Sequence, residues 1–398
     1  MKTALILPPT AASFEPVAGL PLIQRTALAA LRCGFDRVVV LSGAFGDQLR
    51  ALFAGDPRMR AVEVSSAPTA ADGSYVAVIP SDLFVTAATL QRLSAVSLDG
   101  RPLLLQSAGR DSFALCRPAM LADIDVGALA ADGADKLWTA LRRLGGQSLP
   151  LEGNGIRISD ARSVAAAEQL LCAQVRAASA ASDGPLAHWI DRHISLRLSR
   201  WLVRHTRLRP NHITVIGTSM GLLAALILGA GTYWAGVAGT LLFLCTTIVD
   251  GCDGEVARLT FRESAFGEKF DVITDNIVHV AIFAGLALGL YRQDPAGHYV
   301  ALFAILLGGF ACDSVVTYFF LVRRPGFARS GGPAASWKGK VRQALLRGFE
   351  ALMNRDFAYL LLGLAVAGRL HWFLWGTAFG TYLFAILLVC IYRWRDAA

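Results

Sequence analysis

The stretch VDGCDGEVARLTFRESAFGEKFDVITDN, residues 249–276, decides the reading of this chain. It joins two long apolar segments, and eight of its residues hold a strict spacing: Asp250, Asp253, Gly254, Ala257, Arg258, Gly267, Asp271 and Asp275. Residues three or four apart share a helix face. Asp250 and Asp253 therefore point together from the end of one helix, and Asp271 and Asp275 from the start of the next. The short link folds the two helices antiparallel, so the four carboxylates converge. Such a cluster repels itself strongly beside low-dielectric surroundings. Divalent cations relieve the repulsion, and two hard cations held by carboxylates can clamp phosphates and stabilise attacking and leaving oxygens. Gly254 and Ala257 leave a bare helix face for a ligand to lie against. Gly267 permits close helix packing, and Arg258 offsets phosphate charge. At typical residue usage the pattern arises by chance on the order of 10⁻¹⁰ per starting position. Arg262, Glu263, Glu268 and Lys269 read as a solvated loop.

The flanks set the environment. The 398 residues are 54% hydrophobic and 17% charged, with a mean hydropathy of +0.48. Ordinary soluble domains carry about 25% charge, so the chain is too apolar to be wholly soluble or disordered. The apolar residues concentrate in six segments, 213–228, 233–249, 270–291, 299–322, 357–368 and 371–392. A spanning helix takes ~20 apolar residues. Six buried core helices in so short a region would leave no polar surface, so the segments predict an all-α six-helix transmembrane bundle; 357–368 is the shortest.

The net charge of +8 follows the same layout. The fourth link carries Arg323, Arg324, Arg329, Lys338, Lys340, Arg342, Arg347 and Arg355; the second carries Arg258, Arg262 and Lys269; the C-terminal end carries Arg393 and Arg395. These fall on one side with both termini, which the positive-inside bias makes cytoplasmic. Nucleic-acid binding loses its support. Residues 183–208 include PLAHWIDRHISLRLSRWLVRHTR, in which Trp189, Ile190, Ile194 and Trp201 interleave with Arg192, Arg197, Arg200 and Arg204; this reads as an interfacial amphipathic helix. Residues 1–8 suit a first strand better than a secretory signal. Seven scattered cysteines without a CxxC pair support neither a disulfide framework nor a zinc site.

Residues 1–182 alternate strand-like stretches (3–7, 37–42, 62–64, 75–80, 102–106, 112–116) with helical ones (22–32, 46–54, 87–95, 136–144). That predicts a soluble α/β (Rossmann-type) domain with a mostly parallel sheet and ligands beyond the strands' carboxyl ends. The stretch AGLPLIQRTALAALRCGFDRVVVLSG, residues 18–43, resembles the sugar-phosphate nucleotidyltransferases. Members of that family cradle nucleotide phosphates in a glycine-rich loop with a basic residue. Here the loop is LPPTAASFEPVAG; the early glycines and the basic residue are missing, and Pro8 and Pro9 remove donors. Asp82, in VIPSDLF, resembles the family's metal-binding Asp and reads better as a strand-end turn or helix cap. The domain is therefore expected to be nucleotidyltransferase-like and non-catalytic.

The 250–275 pattern resembles the signature of the CDP-alcohol phosphotransferases, D-x₂-D-G-x₂-A-R-x₈-G-x₃-D-x₃-D, at every fixed position. Arg209-Pro210-Asn211-His212-Ile213-Thr214 is similar to that family's lead into its first span, and 209–398 is expected to be the phosphotransferase domain. The resemblance implies transfer of a substituted phosphate from a CDP-alcohol to an acceptor alcohol with release of CMP, in phospholipid biosynthesis. It implies two divalent ions, Mg²⁺ or Mn²⁺, on Asp250, Asp253, Asp271 and Asp275, and Asp275 as the base for the acceptor hydroxyl. It implies contacts from Asp250, Gly254, Ala257, Arg258 and Gly267 to the cytidine diphosphate, and a homodimer in the cell (inner) membrane. Asp275 would lie ~12 Å and Asp313 ~15 Å below the cytoplasmic face at 1.5 Å per residue. Intramembrane ionisable groups are functional candidates, so Asp313 is one, with His279 beside it in weight. Arg323, Arg324 and Arg355 are candidates for gripping a phosphate. One alternative is a bifunctional enzyme whose first domain makes the CDP-alcohol, such as CDP-inositol. A second is a transporter using buried Asp residues; it predicts inverted repeats, and none is visible.

Overall fold

The computed structural model describes residues 2–67, 75–96, 98, 100–107, 110–121, 135–150, 155–179, 186–317 and 356–396. The chain divides into two units: Met1–Gln174 with Leu259–Phe261, and Val175–Arg258 with Arg262–Ala398.

The first unit is built on strands β1 (Lys2–Ile6), β4 (Arg37–Leu41), β5 (Val62–Ser65), β6 (Tyr75–Ile79), β8 (Leu103–Ser107), β9 (Arg110–Cys116) and β10 (Gln147–Pro150). Their order in the sheet is β10-β8-β9-β6-β1-β4-β5. All neighbours run parallel except β9, which is antiparallel to both β6 and β8. The central strands are buried on both faces, as parallel strands covered by helices must be. Ile6, Val38, Val40, Ala77 and Ile79 pack into one core, and the alternate residues Leu5, Val39, Val76 and Val78 into another. Helices α1 (Leu22–Arg32), α2 (Gly46–Ala54), α3 (Ala87–Ser94) and α4 (Asp135–Arg143) fall on the four helical stretches of the sequence. The six strand-like stretches also become strands, with ends displaced by a residue or two. Two short antiparallel pairs complete the unit: β2 (Pro16–Val17) with β3 (Leu20–Pro21), and β7 (Leu83–Phe84) with β11 (Ile156–Arg157).

Residues 7–19 fold onto themselves. A turn over Ala11–Phe14 is closed by Thr10 N donating to Ser13 Oγ (2.9 Å) and Ser13 N donating to Thr10 O (3.0 Å). Ala18 and Gly19 make the β2–β3 turn with φ of +46° and +77°, and Ala18 N donates to the buried Glu168 Oε1 at 3.0 Å. Arg25, fully buried, donates to Val17 O, Ala18 O and Leu259 O. Burial pulls its guanidinium down to about 10, opposed by the Glu168 charge. Helix α5 (Ala161–Ser179), alanine-rich, lies outside the helical stretches expected from the sequence.

The second unit is helical. After α6 (Arg192–His205) come α7 (Pro210–Leu228), α8 (Tyr233–Thr260), α9 (Ala265–Gln293), α10 (Tyr299–Thr317), α11 (Phe357–Val366) and α12 (Leu370–Asp396), one per apolar segment. Among the described residues α7, α8 and α9 are long and apolar enough to cross a membrane, which supports membrane association. Helix α11 has 10 residues, about 15 Å at 1.5 Å per residue, short of a bilayer core. Among the described residues six helices follow α6 and three of them meet the length and composition needed, so the six-span expectation is not confirmed. Ala224, Phe243, Ile282, Leu286, Ala358 and Leu374 form the core between the helices. Helices α7 and α9 meet along a glycine seam: a methyl at Gly285 would stand 2.2 Å from Ala225 O, and one at Gly289 2.3 Å from Leu228 O.

Candidate active site

Pro210 opens α7 at its first turn, where its missing N–H costs nothing. Ser264 caps α9, its hydroxyl accepting from Gly267 N at 3.0 Å. These two helix starts and the last turns of α8 enclose a cavity of about 530 Å³. Asn211 and Thr214 line it from α7, and Asp253, Gly254, Ala257 and Arg258 from α8. Arg262, Glu263, Gly267, Glu268 and Asp271 line it from the link and α9.

Three carboxylates converge at its edge, joined to it through Asp271. Asp250, Asp271 and Asp275, each half-buried, offer oxygens that all lie within 4.8 Å of one another. The donor set is all oxygen and anionic, which is what hard divalent ions take. Asp253 stands apart from this trio. Its buried carboxyl accepts from Thr214 Oγ1 and from Gly254 N, close enough to feel the Asp271 and Asp250 charges. The reading of four equivalent convergent carboxylates is refined to three together and one held by Thr214.

Gly254 lies against a side chain of its own helix. A methyl at Gly254 would meet the Arg258 guanidinium at 3.4 Å, so the arginine lies across the bare backbone. Arg258 Nη2 is 3.4 Å from Ser179 Oγ. Gly267 accommodates the Ser264 cap and Asn211, whose Oδ1 would lie 3.4 Å from an added methyl. This is a narrower role than general helix packing.

The other candidates divide. His279 sits among rings, 6.2 Å from Phe243 and 5.5 Å from Phe357, on an apolar cavity of about 340 Å³. Asp313 belongs to α10, but its side chain is outside the described residues, as are Arg323, Arg324 and Arg355 altogether. In the first unit, burial raises the Asp82 carboxyl, opposed by Arg157 at 3.4 Å. Ser81 Oγ donates to Pro8 O. The six described cysteines are free thiols.

Three features escaped the sequence reading. Arg262, Glu263 and Glu268 are exposed, as a solvated segment requires, and also line the cavity. Thr214 was quoted in the lead-in but given no partner; only the fold brings it to Asp253. Arg192 was read as one of the interfacial cations, yet it is buried and paired with Glu255 at 3.0 Å. The i, i+3, i+7 spacing of Arg192, Ser195 and Ser199 was the available signal of a polar inner face.

Residues 207–383 match the family described as CDP-alcohol phosphatidyltransferase. The chain is 32% identical over 127 residues to the bifunctional IPC transferase and DIPP synthase of Aquifex aeolicus, covering 32% of this chain and 28% of that protein. The protein of the same name from Archaeoglobus fulgidus is 37% identical over 129 residues, covering 32% and 24%. Inner membrane protein YnjF of Escherichia coli is 26% identical over 147 residues, covering 35% and 69%. The matches thus span about a quarter of the length of the two bifunctional relatives. Among solved structures, the phosphatidylinositol phosphate synthase of Mycobacterium tuberculosis with CDP-DAG bound aligns over 51% of this chain and 92% of its own, at 22% identity and a TM-score of 0.31. A manganese complex from the same organism aligns over 42% and 98%, at 15% identity and a TM-score of 0.34. What the comparisons establish is a match of residues 207–383, 177 of the 398, to the CDP-alcohol phosphatidyltransferase family.

Proposed function

We propose that this protein is an integral membrane phosphotransferase that moves a substituted phosphate from a CDP-alcohol to an acceptor alcohol and releases CMP, in phospholipid biosynthesis. The observation that carries this is the meeting of the Asp250, Asp271 and Asp275 carboxylates, of which Asp271 also lines the cavity bounded by Asp253, Gly254, Ala257 and Arg258. Asp250, Asp271 and Asp275, with Asp253 beside them, would hold two divalent ions, Mg²⁺ or Mn²⁺, which supply charge stabilisation on the phosphates. The chain's own residues do the rest. The bare face at Gly254 and Ala257 admits the cytidine diphosphate, with Gly267 and Asp250 on the same site. Arg258 compensates its charge. Asp275 takes the proton of the acceptor hydroxyl as its oxygen bonds to phosphorus. The phosphoanhydride bond to CMP breaks, and CMP leaves with that electron pair.

The helical unit would cross the bilayer in six passes, α11 completed by its flanks, with the motif, the first unit and the C-terminus toward the cytoplasm. The resemblance further implies a homodimer. Asp313, Arg323, Arg324 and Arg355 remain candidates for the acceptor side. The first unit is proposed to be non-catalytic, since the backbone N–H groups at Thr10, Ser13 and Ala18 are already spent within the fold. Two matched relatives are named as bifunctional enzymes, which favours a second reading in which the first unit makes the CDP-alcohol. Full-length protein given CTP and a panel of polyol phosphates separates the two: pyrophosphate release would establish the second reading. For the main reading, purified protein given CDP-diacylglycerol and soluble CDP-polyols with acceptor alcohols should release CMP only with added Mg²⁺ or Mn²⁺. Full turnover in excess EDTA would rule the metal mechanism out.

A further inference from the structure

The sequence motif has an acidic residue that the chemistry above leaves unused. Glu255 lies between Gly254 and Ala257, yet its side chain is completely buried. At about 100° per residue it faces away from Asp253 and Ala257, which are two positions before and after it. It looks instead onto α6. Its Oε1 accepts from Arg192 Nη1 (3.0 Å) and Ser195 Oγ (2.6 Å), and its Oε2 from Ser199 Oγ (2.7 Å). Arg192, Ser195 and Ser199 are themselves buried. Ser195 O also receives the Cys252 thiol at 3.6 Å.

The outward side of this region mixes large apolar groups with cations: Trp189 is 71% and Trp201 53% exposed, with Ile190 and Ile194 beside them and Arg197 between. The helix thus turns its polar stripe inward and its aromatic stripe outward. A carboxylate with three donors in a buried seam fixes both the rotation and the height of two helices, because each donor satisfies a separate lone pair in a set direction. A hydrophobic contact there would allow sliding.

We propose that Glu255 is a positioning residue for the phosphotransfer site. It locks α8 to the interfacial helix α6, so that Gly254, Ala257 and Arg258 are presented to the donor diphosphate at a fixed angle. It also keeps the Arg192 charge on the α6 side, apart from Arg258. This rests on the reading of the site as one for a CDP-alcohol. Because Glu255 acts on the donor face of α8 and not on α9, its loss weakens donor binding in ground and transition state alike. KM for the donor rises while kcat stays near its wild-type value.

The experiment uses full-length protein in nanodiscs, with CDP-diacylglycerol as donor in the CMP-release assay and CDP binding by calorimetry in the presence of Mg²⁺. Glu255→Gln and the pair Ser195→Ala/Ser199→Ala should each raise donor KM and CDP Kd about tenfold, the range of a charge-assisted hydrogen bond, with kcat within about twofold. Adding Arg192→Met to Glu255→Gln removes the buried charge that has lost the Glu255 carboxylate, and should recover much of the lost affinity. N-ethylmaleimide, mapped by mass spectrometry, should reach Cys252 in the serine pair and not in the wild type. Folded variants with wild-type KM and a protected Cys252 would overturn the proposal. So would a fall in kcat at unchanged KM. Failure of the wild-type protein itself to bind CDP or release CMP would instead mark the failure of the CDP-alcohol reading, and the donor role of Glu255 would fall with it.

Discussion

Replacing Gly285 by alanine tests the helix seam that holds the two halves of the site together. The added methyl would stand 2.2 Å from Ala225 O, 2.9 Å from its carbonyl carbon and 3.1 Å from its Cα. These are backbone atoms, so no side chain can swing aside. A comfortable contact is about 3.5 Å, so α9 must move from α7 by about 1 Å. Overpacking of this kind costs about 1–3 kcal/mol. Alanine returns up to about 1 kcal/mol of helix propensity, leaving a net loss of up to about 2 kcal/mol where it is returned in full. Asp275 lies on the same helix, about 15 Å away at 1.5 Å per residue, and the displacement travels along it. Misplacement by 1 Å can cost about 100-fold in rate. The assay pairs thermal unfolding in detergent with CMP release. Gly363→Ala is the control, because a methyl at Gly363 meets nothing within 4 Å. The reasoning predicts a lowered Tm and a rate well below wild type for Gly285→Ala, and neither for Gly363→Ala. Wild-type Tm and rate for Gly285→Ala would refute the close approach of α7 and α9.

Other expectations follow from particular contacts. Thr214→Val removes the hydroxyl on Asp253 and leaves a buried acceptor short of a donor, which costs about 1–3 kcal/mol; stability should fall, while Thr214→Ser stays close to wild type. In the first unit, Tyr75 donates to Leu93 O, and burial pushes its hydroxyl up to about 12. A raised folded pKa contributes stability that is whole below the usual tyrosine pKa and lost as pH climbs through the folded value. Tyr75→Phe should therefore flatten the fall in stability between about pH 10 and 12, and an unchanged slope would contradict the burial. Cys116 is fully buried and its thiol is pushed up to about 12. It should resist alkylation at pH 8 until the protein unfolds, whereas early modification would place it at the surface.

Much of this was legible in the sequence because the signals were local. The aliphatic β-branched strand Arg37–Leu41 and the long apolar run that becomes α9 announce themselves in contiguous sequence. Motif spacing alone brought Asp250, Asp271 and Asp275 together. What was not legible depends on distant partners. Thr214 and Asp253 are separated by 39 positions, and Glu255 and Arg192 by 63. No periodicity encodes either pairing. The same holds for residues 7–19: their missing glycines were visible, but not that Ser13 and Glu168 would occupy the freed backbone donors.

The account rests on Asp275 as a group that handles the acceptor proton within a carboxylate trio. CMP release from a CDP-alcohol with Mg²⁺, measured for wild type and Asp275→Asn in the same membrane mimetic, tests it most directly. The amide keeps the shape and removes the base, so the variant should bind CDP and lose nearly all turnover. Equal CMP release by the two proteins would contradict the assignment of this site as the seat of phosphotransfer.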